Sequence, residues 1–333
     1  MVRLTRAETQ ERNRARVLAA ARDEFTERGF RDAKIDAIAE RAELTRGAVY
    51  SNFPGKRALY FAVLAAVAEE MPRGTPGRTP REALGAFARA WVARLPLATD
   101  PAVLGADLLA EIMSDELTRT PFAQLTKLNA LLLGLALEDL RPGAPMVRVA
   151  ETALTVLHGA SQLAAAAPGF VEPFDVVRAC EELADLEFDE RPPVPPMGPP
   201  VRPVDEPWAP PPSVDLLDDA GPFTDGVITV LGLHRASAVE DAVRTGEDVT
   251  LVLVSAAPGE LMPLARLAIA EMRGYLRQSV AWSPRLRIVC DPAFAAAAGV
   301  PSVSDATETA VRVRDGRIVA RSDGWGACQS IGG

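Results

Sequence analysis

The sequence predicts two differently built parts: an all-α N-terminal portion and a C-terminal α/β portion, joined by a proline-rich linker. Three observations lead there. Apolar residues keep helical spacing almost unbroken to about residue 190. Residues 191–212 hold 11 of the chain's 28 prolines. After them, short β-branched runs alternate with helix-like segments. A chain of 333 residues also has room for two domains at about 100–200 residues each.

In the N-terminal portion, Leu18, Ala21 and Phe25 recur at helical spacing, as do Ile35, Ile38, Ala39 and Ala42. Further helices are predicted near 56–71, 80–95, 101–117, 121–140, 145–167 and 173–187. Pro101, Pro121, Pro145 and Pro173 fall at proposed starts, where a missing N–H costs least. Residues 128–140 and 147–167 are too apolar for helices with one wet face, so burial on two sides or against another subunit is expected. The proline tract can enter neither a helix interior nor a central strand. It is expected to be a semi-rigid polyproline II spacer, serving as a plain linker or as a ligand for an SH3-like partner. Beyond it, strands are predicted at 227–233, 249–255 and 286–290, and helices at 236–244 and 261–276. That alternation suggests parallel strands with crossovers. Asp315-Gly316 predicts a two-residue hairpin turn between alternating strands.

The net charge of −9 poorly suits a chain that binds nucleic acid over its whole surface. Its distribution is uneven: residues 1–57 hold 13 Lys and Arg against 9 Asp and Glu, a basic head on an acidic body. No apolar run reaches the roughly 18 residues that span a bilayer. The first residues lack the apolar core of a signal peptide. Cys180, Cys290 and Cys328 are scattered, and His158 and His234 complete no metal-ligand spacing. The expectation is a cytoplasmic, reduced protein with no membrane partner, metal or cofactor.

Residues 35–53 read IDAIAERAELTRGAVYSNF. A helix over 35–42 meets a short turn, and a second helix begins at Arg46 with Thr45 as its N-cap. Ala39, Leu44 and Val49 are the apolar positions that would lock the two helices together. Gly47 and Ala48 are small enough for close approach to another surface. A helix–turn–helix of this kind places its second helix in a DNA major groove. Arg46, Tyr50, Ser51 and Asn52 supply hydrogen-bond donors for bases or phosphates, and Lys56 adds positive charge.

Residues 16–64 resemble the N-terminal DNA-binding domain of TetR-family transcriptional repressors. The match rests on Ala21, Phe25, Gly29-Phe30, Ile38-Ala39, Gly47, Val49-Tyr50, Asn52-Phe53, Lys56 and Leu59. One departure is that Ala33-Lys34 stands where the family often has Thr before Ile35. The cap is then expected from Asp32, or is replaced by a Lys34 phosphate contact. The resemblance implies a double-stranded DNA operator contacted by Lys34, Thr45, Arg46, Gly47, Tyr50, Ser51 and Asn52, with Tyr50 and Lys56 chiefly on phosphates. Arg46 either reads guanine with its fork or clamps a phosphate. Arg3, Arg6, Arg12, Arg14 and Arg16 either follow the DNA or form a solvated tail.

The resemblance further implies a DNA-binding domain over 1–62 and an effector-binding and dimerisation domain over 63–190. The linker would then occupy 191–222 and the α/β domain 223–333. A homodimer through helices at about 145–187 would set two recognition helices about 34 Å apart on a palindrome. A small, hydrophobic effector would bind among the central helices. Candidate lining residues are Phe87, Trp91, Leu104, Leu108, Glu111, Met113, Phe122, Leu125 and His158, each of which also reads as plain core. Of the i,i+4 carboxylates Asp107 and Glu111, one is expected to be solvated and the other to cap or pair locally.

Residues 225–326 resemble thioredoxin-like and peroxiredoxin-like domains in element order, with Gly299-Val300-Pro301 before the hairpin. Active members carry a reactive cysteine after the strand matching TLVLVS (250–255). Here Ala256-Ala257-Pro258-Gly259-Glu260 stands in that place, so no thiolate can start disulfide exchange or peroxide reduction there. The implied whole is a non-enzymatic, ligand-responsive regulator, a repressor, whose last domain serves binding, sensing or assembly. Two alternatives stay open: a redox-responsive regulator using Cys290 and Cys328, and a DNA-tethered oxidoreductase.

Overall fold

A computed structural model describes residues 5–96, 104–188, 198–218 and 225–332. Helix α1 (Arg6–Asp32) opens on a capping box: the Thr5 hydroxyl accepts from Glu8 N at 3.2 Å, and the Glu8 carboxylate accepts from Thr5 N at 2.7 Å. Gly29, at φ 69°, interrupts its last turns. Then come α2 (Ile35–Arg41), α3 (Arg46–Asn52), α4 (Lys56–Glu69), α5 (Pro80–Val92), α6 (Leu108–Met113), α7 (Glu116–Leu140), α8 (Val147–Ala166) and α9 (Pro173–Leu183). Pro80 and Pro173 open their helices as N1 residues. Pro121 does not, because Asp115 accepts from Leu117 N at 3.0 Å and starts α7 five residues earlier. Pro145 also precedes its helix rather than opening it. Residues 97–103, including Pro101, lie outside the described residues.

The C-terminal part holds β1 (Arg202–Pro207), β2 (Gly226–Gly232), α10 (Val239–Val243), β3 (Val249–Val254), α11 (Pro258–Ser279), β4 (Leu286–Val289), α12 (Pro292–Ala297), β5 (Glu308–Arg314), β6 (Arg317–Asp323) and α13 (Ala327–Gly332). They build a mixed sheet in the order β1-β6-β5-β2-β3-β4. Strands β2, β3 and β4 are parallel, while β5, β6 and β1 run antiparallel to their neighbours. Asp315 and Gly316 take φ of 49° and 70°, the left-handed pair that a two-residue hairpin turn requires. Alternation sorts the strand residues: Val227, Leu231, Leu251, Leu253 and Ile288 join the core shared with the helices, and Ile228, Val230, Val252, Val254 and Val289 form a second core with Phe294.

The proline tract differs from the expected free spacer. Residues 202–207 pair with β6 as an edge strand, where a missing N–H can face solvent instead of a ladder. Trp208 N donates to Gly316 O at 3.0 Å, and its ring lies edge-on to Phe294 at 5.3 Å. The buried Asp215 carboxylate accepts from Leu217 N and Ile288 N at 3.0 and 3.1 Å. The tract's described residues are therefore stitched to the sheet. Residues 189–197 and 219–224 lie outside the described residues.

The two parts share one apolar core. Helix α11 belongs to the C-terminal part by sequence, but it packs along α4 and against α5 and α7. Gly259 sits beside Pro54 at the start of this contact and Gly274 beside Met71 at its end, so the two helices run side by side. The loop after α4 closes over the end of α11: Gly74 N donates to Arg277 O at 3.3 Å and Gly77 N to Ser279 O at 2.8 Å. A Cβ at Gly74 would lie 2.5 Å from Gln278 O, so only glycine allows that approach. Asn129 Nδ2 donates to Ala268 O at 3.2 Å, Ser237 Oγ bonds Gln124 Oε1 at 2.7 Å, and Arg244 pairs with Glu138 at 2.7 Å. The α/β part is docked, not pendant.

Candidate nucleic-acid interface and ligand cavity

Residues 5–60 build a basic end. Ala39 and Val49 are buried, and Leu44 packs against the same core, which fixes α2 against α3. Thr45 caps α3, its hydroxyl accepting from Ala48 N at 3.2 Å. Helix α2 has no side-chain cap from Asp32 or Lys34. Instead Glu24 of α1, 1% exposed, accepts from Lys34 N at 3.3 Å and pairs with Arg28 and Arg41 at 3.3 Å each. A buried carboxylate from the preceding helix thus does the cap's work.

Lys34, Thr45, Arg46, Gly47, Tyr50 and Ser51 are each exposed, and within α3 the i,i+4 spacing sets Arg46 beside Tyr50 and Gly47 beside Ser51. The Arg46 guanidinium lies 5.5 Å from the Tyr50 ring centre and 3.3 Å from Asp36. Ser51 Oγ and Asn52 Nδ2 both donate to Ala48 O, at 2.9 and 2.8 Å, and Asn52 is half-buried. Lys56 is more constrained than its charge suggests. Its Nζ donates to Arg31 O at 3.1 Å and lies 4.7 Å from the Phe30 ring centre, and burial lowers its pKa. Arg14 is likewise occupied, stacked on Phe53 at 4.4 Å and donating to Asn52 O, while Arg16 pairs with Glu43 at 2.7 Å. Arg12 is exposed; Arg3 and the Arg6 side chain lie outside the described residues.

A cavity of about 470 Å³ opens among α4, α5, α6, α7, α8 and α11, within the range that holds drug-sized ligands. Trp91, Leu104, Leu108, Met113, Phe122 and His158 line it, six of the nine residues singled out in the sequence. Phe87 and Leu125 are fully buried core instead, and Glu111 turns to Arg57 at 3.7 Å. Asp107 accepts from Phe30 N at 3.1 Å, tying the start of α6 to the end of α1. The walls also include Leu64 of α4, Arg94, Leu109, Ser161 and Gln162. Two more, Glu271 and Tyr275, come from α11. Sequence reasoning missed these two because nothing local to α11 signals a partner nearly 200 residues away. Trp91 stacks on Tyr275 at 4.9 Å and meets His158 edge-on at 4.9 Å, and its N–H donates to Ser161 Oγ at 2.9 Å. Burial pushes the His158 pKa down, so the ring is neutral at pH 7.

The remaining candidates lie apart. Cys290 follows β4, whereas Cys328 sits in α13, which packs on α10, β5 and β6. Strands β4 and β5 are separated by β3 and β2, roughly 14 Å at strand spacing. A disulfide needs Cα atoms within about 7 Å. Burial raises both thiols, Cys290 to about 11, which keeps them protonated. No cis peptide bond occurs among the described residues, Pro301 included. Among those residues no group of three His, Cys, Asp or Glu could hold a metal ion, and no helix is long and apolar enough to cross a membrane.

Residues 17–63 match the family model described as bacterial regulatory proteins, tetR family. Over 65 residues the chain is 48% identical to the HTH-type transcriptional regulator SrpR of Pseudomonas putida, covering 20% of this chain and 30% of that protein. The same identity and length relate it to the uncharacterized HTH-type transcriptional regulator TtgW, also of Pseudomonas putida, covering 20% of this chain and 48% of that protein. The matched segment thus spans less than half the length of either relative. A TetR transcriptional regulator from Rhodococcus sp. RHA1 aligns over 54% of this chain and 95% of its own, at 21% identity and a TM-score of 0.39. RolR, solved with resorcinol, aligns over 56% and 99%, at 21% identity and a TM-score of 0.32. Residues 17–63 thus match the N-terminal domain of tetR-family regulators.

Proposed function

We propose that this chain, which carries a tetR-family N-terminal domain, is a ligand-responsive transcriptional repressor that binds a palindromic operator as a homodimer. The observation that carries the reading is the coincidence of the family match with the exposure of Lys34, Thr45, Arg46, Gly47, Tyr50 and Ser51 on the basic end. The dimer is supported by an apolar surface on and beside α8 and α9: Leu163, Phe170, Phe174 and Leu186 are 44%, 71%, 85% and 46% exposed. The effector site is the 470 Å³ cavity. Leu64 brings α4 to its wall, and α4 begins four residues after α3 ends. Switching from mostly bound to mostly released requires the ligand to favour the released state by about 5.5 kcal/mol. The C-terminal part is a thioredoxin-like domain without thiol chemistry, a reading supported by a parallel pair followed by an antiparallel hairpin in its sheet.

Fluorescence anisotropy with the DNA upstream of the protein's own gene tests this. Saturable, sequence-selective binding that weakens steeply with salt is the expected result. Arg46→Ala should weaken it about 10- to 100-fold and relax selectivity at one position if Arg46 reads a base. Lys56→Ala should chiefly lower the melting temperature, because Lys56 braces α1 against α4. Equal affinity for scrambled DNA would sink the proposal.

A further inference from the structure

The cavity borrows part of its wall from a region far outside the tetR-family match. Residues 17–63 carry that match, whereas Glu271 and Tyr275 enter the cavity from α11. Tyr275 presents a ring stacked on Trp91 at 27° and, with Phe87, extends an aromatic shelf across the boundary between the two parts. Glu271 stands one helical turn before it.

The charges in this corner cancel. Burial raises the Glu271 carboxyl pKa; Arg94, 3.7 Å away and 5.9 Å from the Tyr275 ring centre, opposes that rise, and His158 is neutral. An ionic ligand would find no counter-charge to spare. The hydrogen-bonding capacity does not cancel. At 3.7 Å the Arg94–Glu271 pair is held by charge and is too long for a hydrogen bond, so the carboxylate keeps lone pairs for another donor. The Trp91 N–H is already committed to Ser161, and Ser161 in turn donates to Leu157 O at 3.0 Å. What this corner offers is a flat aromatic surface with the Glu271 carboxylate as its acidic acceptor, beside the neutral His158 ring.

We infer that the C-terminal part selects the effector: Tyr275 and Glu271 of α11 favour a neutral, planar aromatic ligand that stacks on the Trp91–Tyr275 shelf and donates one hydrogen bond to the Glu271 carboxylate. This rests on the reading of the cavity as the effector site. The docked domain thereby has a role that needs no thiol. It completes the ligand site and holds that site against α4, along which α11 runs.

The test uses the full chain and two fluorescent probes that brighten on leaving water: N-phenyl-1-naphthylamine, which is neutral and carries a flat naphthalene ring and one N–H, and its N-methylated counterpart, which has no N–H. The wild-type protein is expected to bind the N–H probe about tenfold more tightly than the N-methyl probe. Glu271→Met should reduce that ratio to below about twofold, whereas Glu271→Gln, which keeps an acceptor, should retain most of it. Tyr275→Ala should weaken both probes about tenfold, and Tyr275→Phe, which keeps the ring, should not. A circular-dichroism melt of each variant shows that it is folded. Leu109→Trp places an indole in the cavity from α6 and separates the two failures. If it abolishes binding while Glu271→Met leaves the ratio unchanged, the cavity takes ligands but α11 does not choose them, and the inference falls alone. If Leu109→Trp changes nothing, or neither probe saturates, the inference and the reading of the cavity fall together.

Discussion

A chain cut after residue 190 is expected to lose its cooperative thermal transition and to aggregate, although it keeps every residue of the helical part. Nine of the fourteen residues of α4 are buried, and α11 supplies one wall of that burial. The helix itself buries Leu261, Leu264, Leu267, Ile269, Met272, Tyr275 and Leu276. Uncovering even four large apolar side chains costs about 6–12 kcal/mol at about 1.5–3 kcal/mol each. That is comparable with the whole stability of a typical domain, about 5–15 kcal/mol. Circular dichroism and limited proteolysis of the truncated chain measure this. A sharp transition within a few degrees of the full chain would show instead that the helical part stands alone.

Leu163→Asp combined with Phe174→Asp is expected to give a folded monomer that grips DNA at least about 100-fold more weakly. Both side chains are exposed in one protomer, so replacing them should cost the protomer's own fold little, and the melting temperature should fall only by what dimerisation contributes. A desolvated dimer face cannot accept four carboxylates, two from each copy, without strong cost. Losing the second recognition helix removes the gain of binding two half-sites together, typically about 10²–10⁴-fold. Light scattering gives the mass and anisotropy the affinity. A variant that stays dimeric would move the interface away from α8 and α9.

Features set by neighbouring residues were legible in the sequence. The Glu-Leu-Thr turn and the Thr45 cap announced α3, the β-branched runs announced β2, β3 and β4, and Asp315-Gly316 announced the hairpin. Features set by distant partners were not. Proline density marks residues 202–207 as linker, and only β6 across the sheet makes them a strand. Lys56 carries the charge of a phosphate contact, yet its ammonium already donates to Arg31 O and lies over the Phe30 ring. The missing cap of α2 is supplied by Glu24 from within α1, where the sequence shows only one acidic residue among several. Six cavity residues were recognisable as apolar or aromatic positions in the central helical region, Leu104 in the turn before α6 among them. The other wall was not, because α11 reads as an ordinary crossover helix until α4 is beside it.

The central claim is that filling the cavity and gripping DNA are opposed states of one molecule, joined through α4. Leu109→Trp tests it without knowing the effector, by placing an indole where a ligand would sit. The quantity to measure is the anisotropy-derived affinity of this variant for the upstream DNA, beside its melting temperature. A variant that melts like the wild type and binds DNA at least about tenfold more weakly is the expected result. Full DNA affinity with the indole lodged in the cavity would contradict the claim.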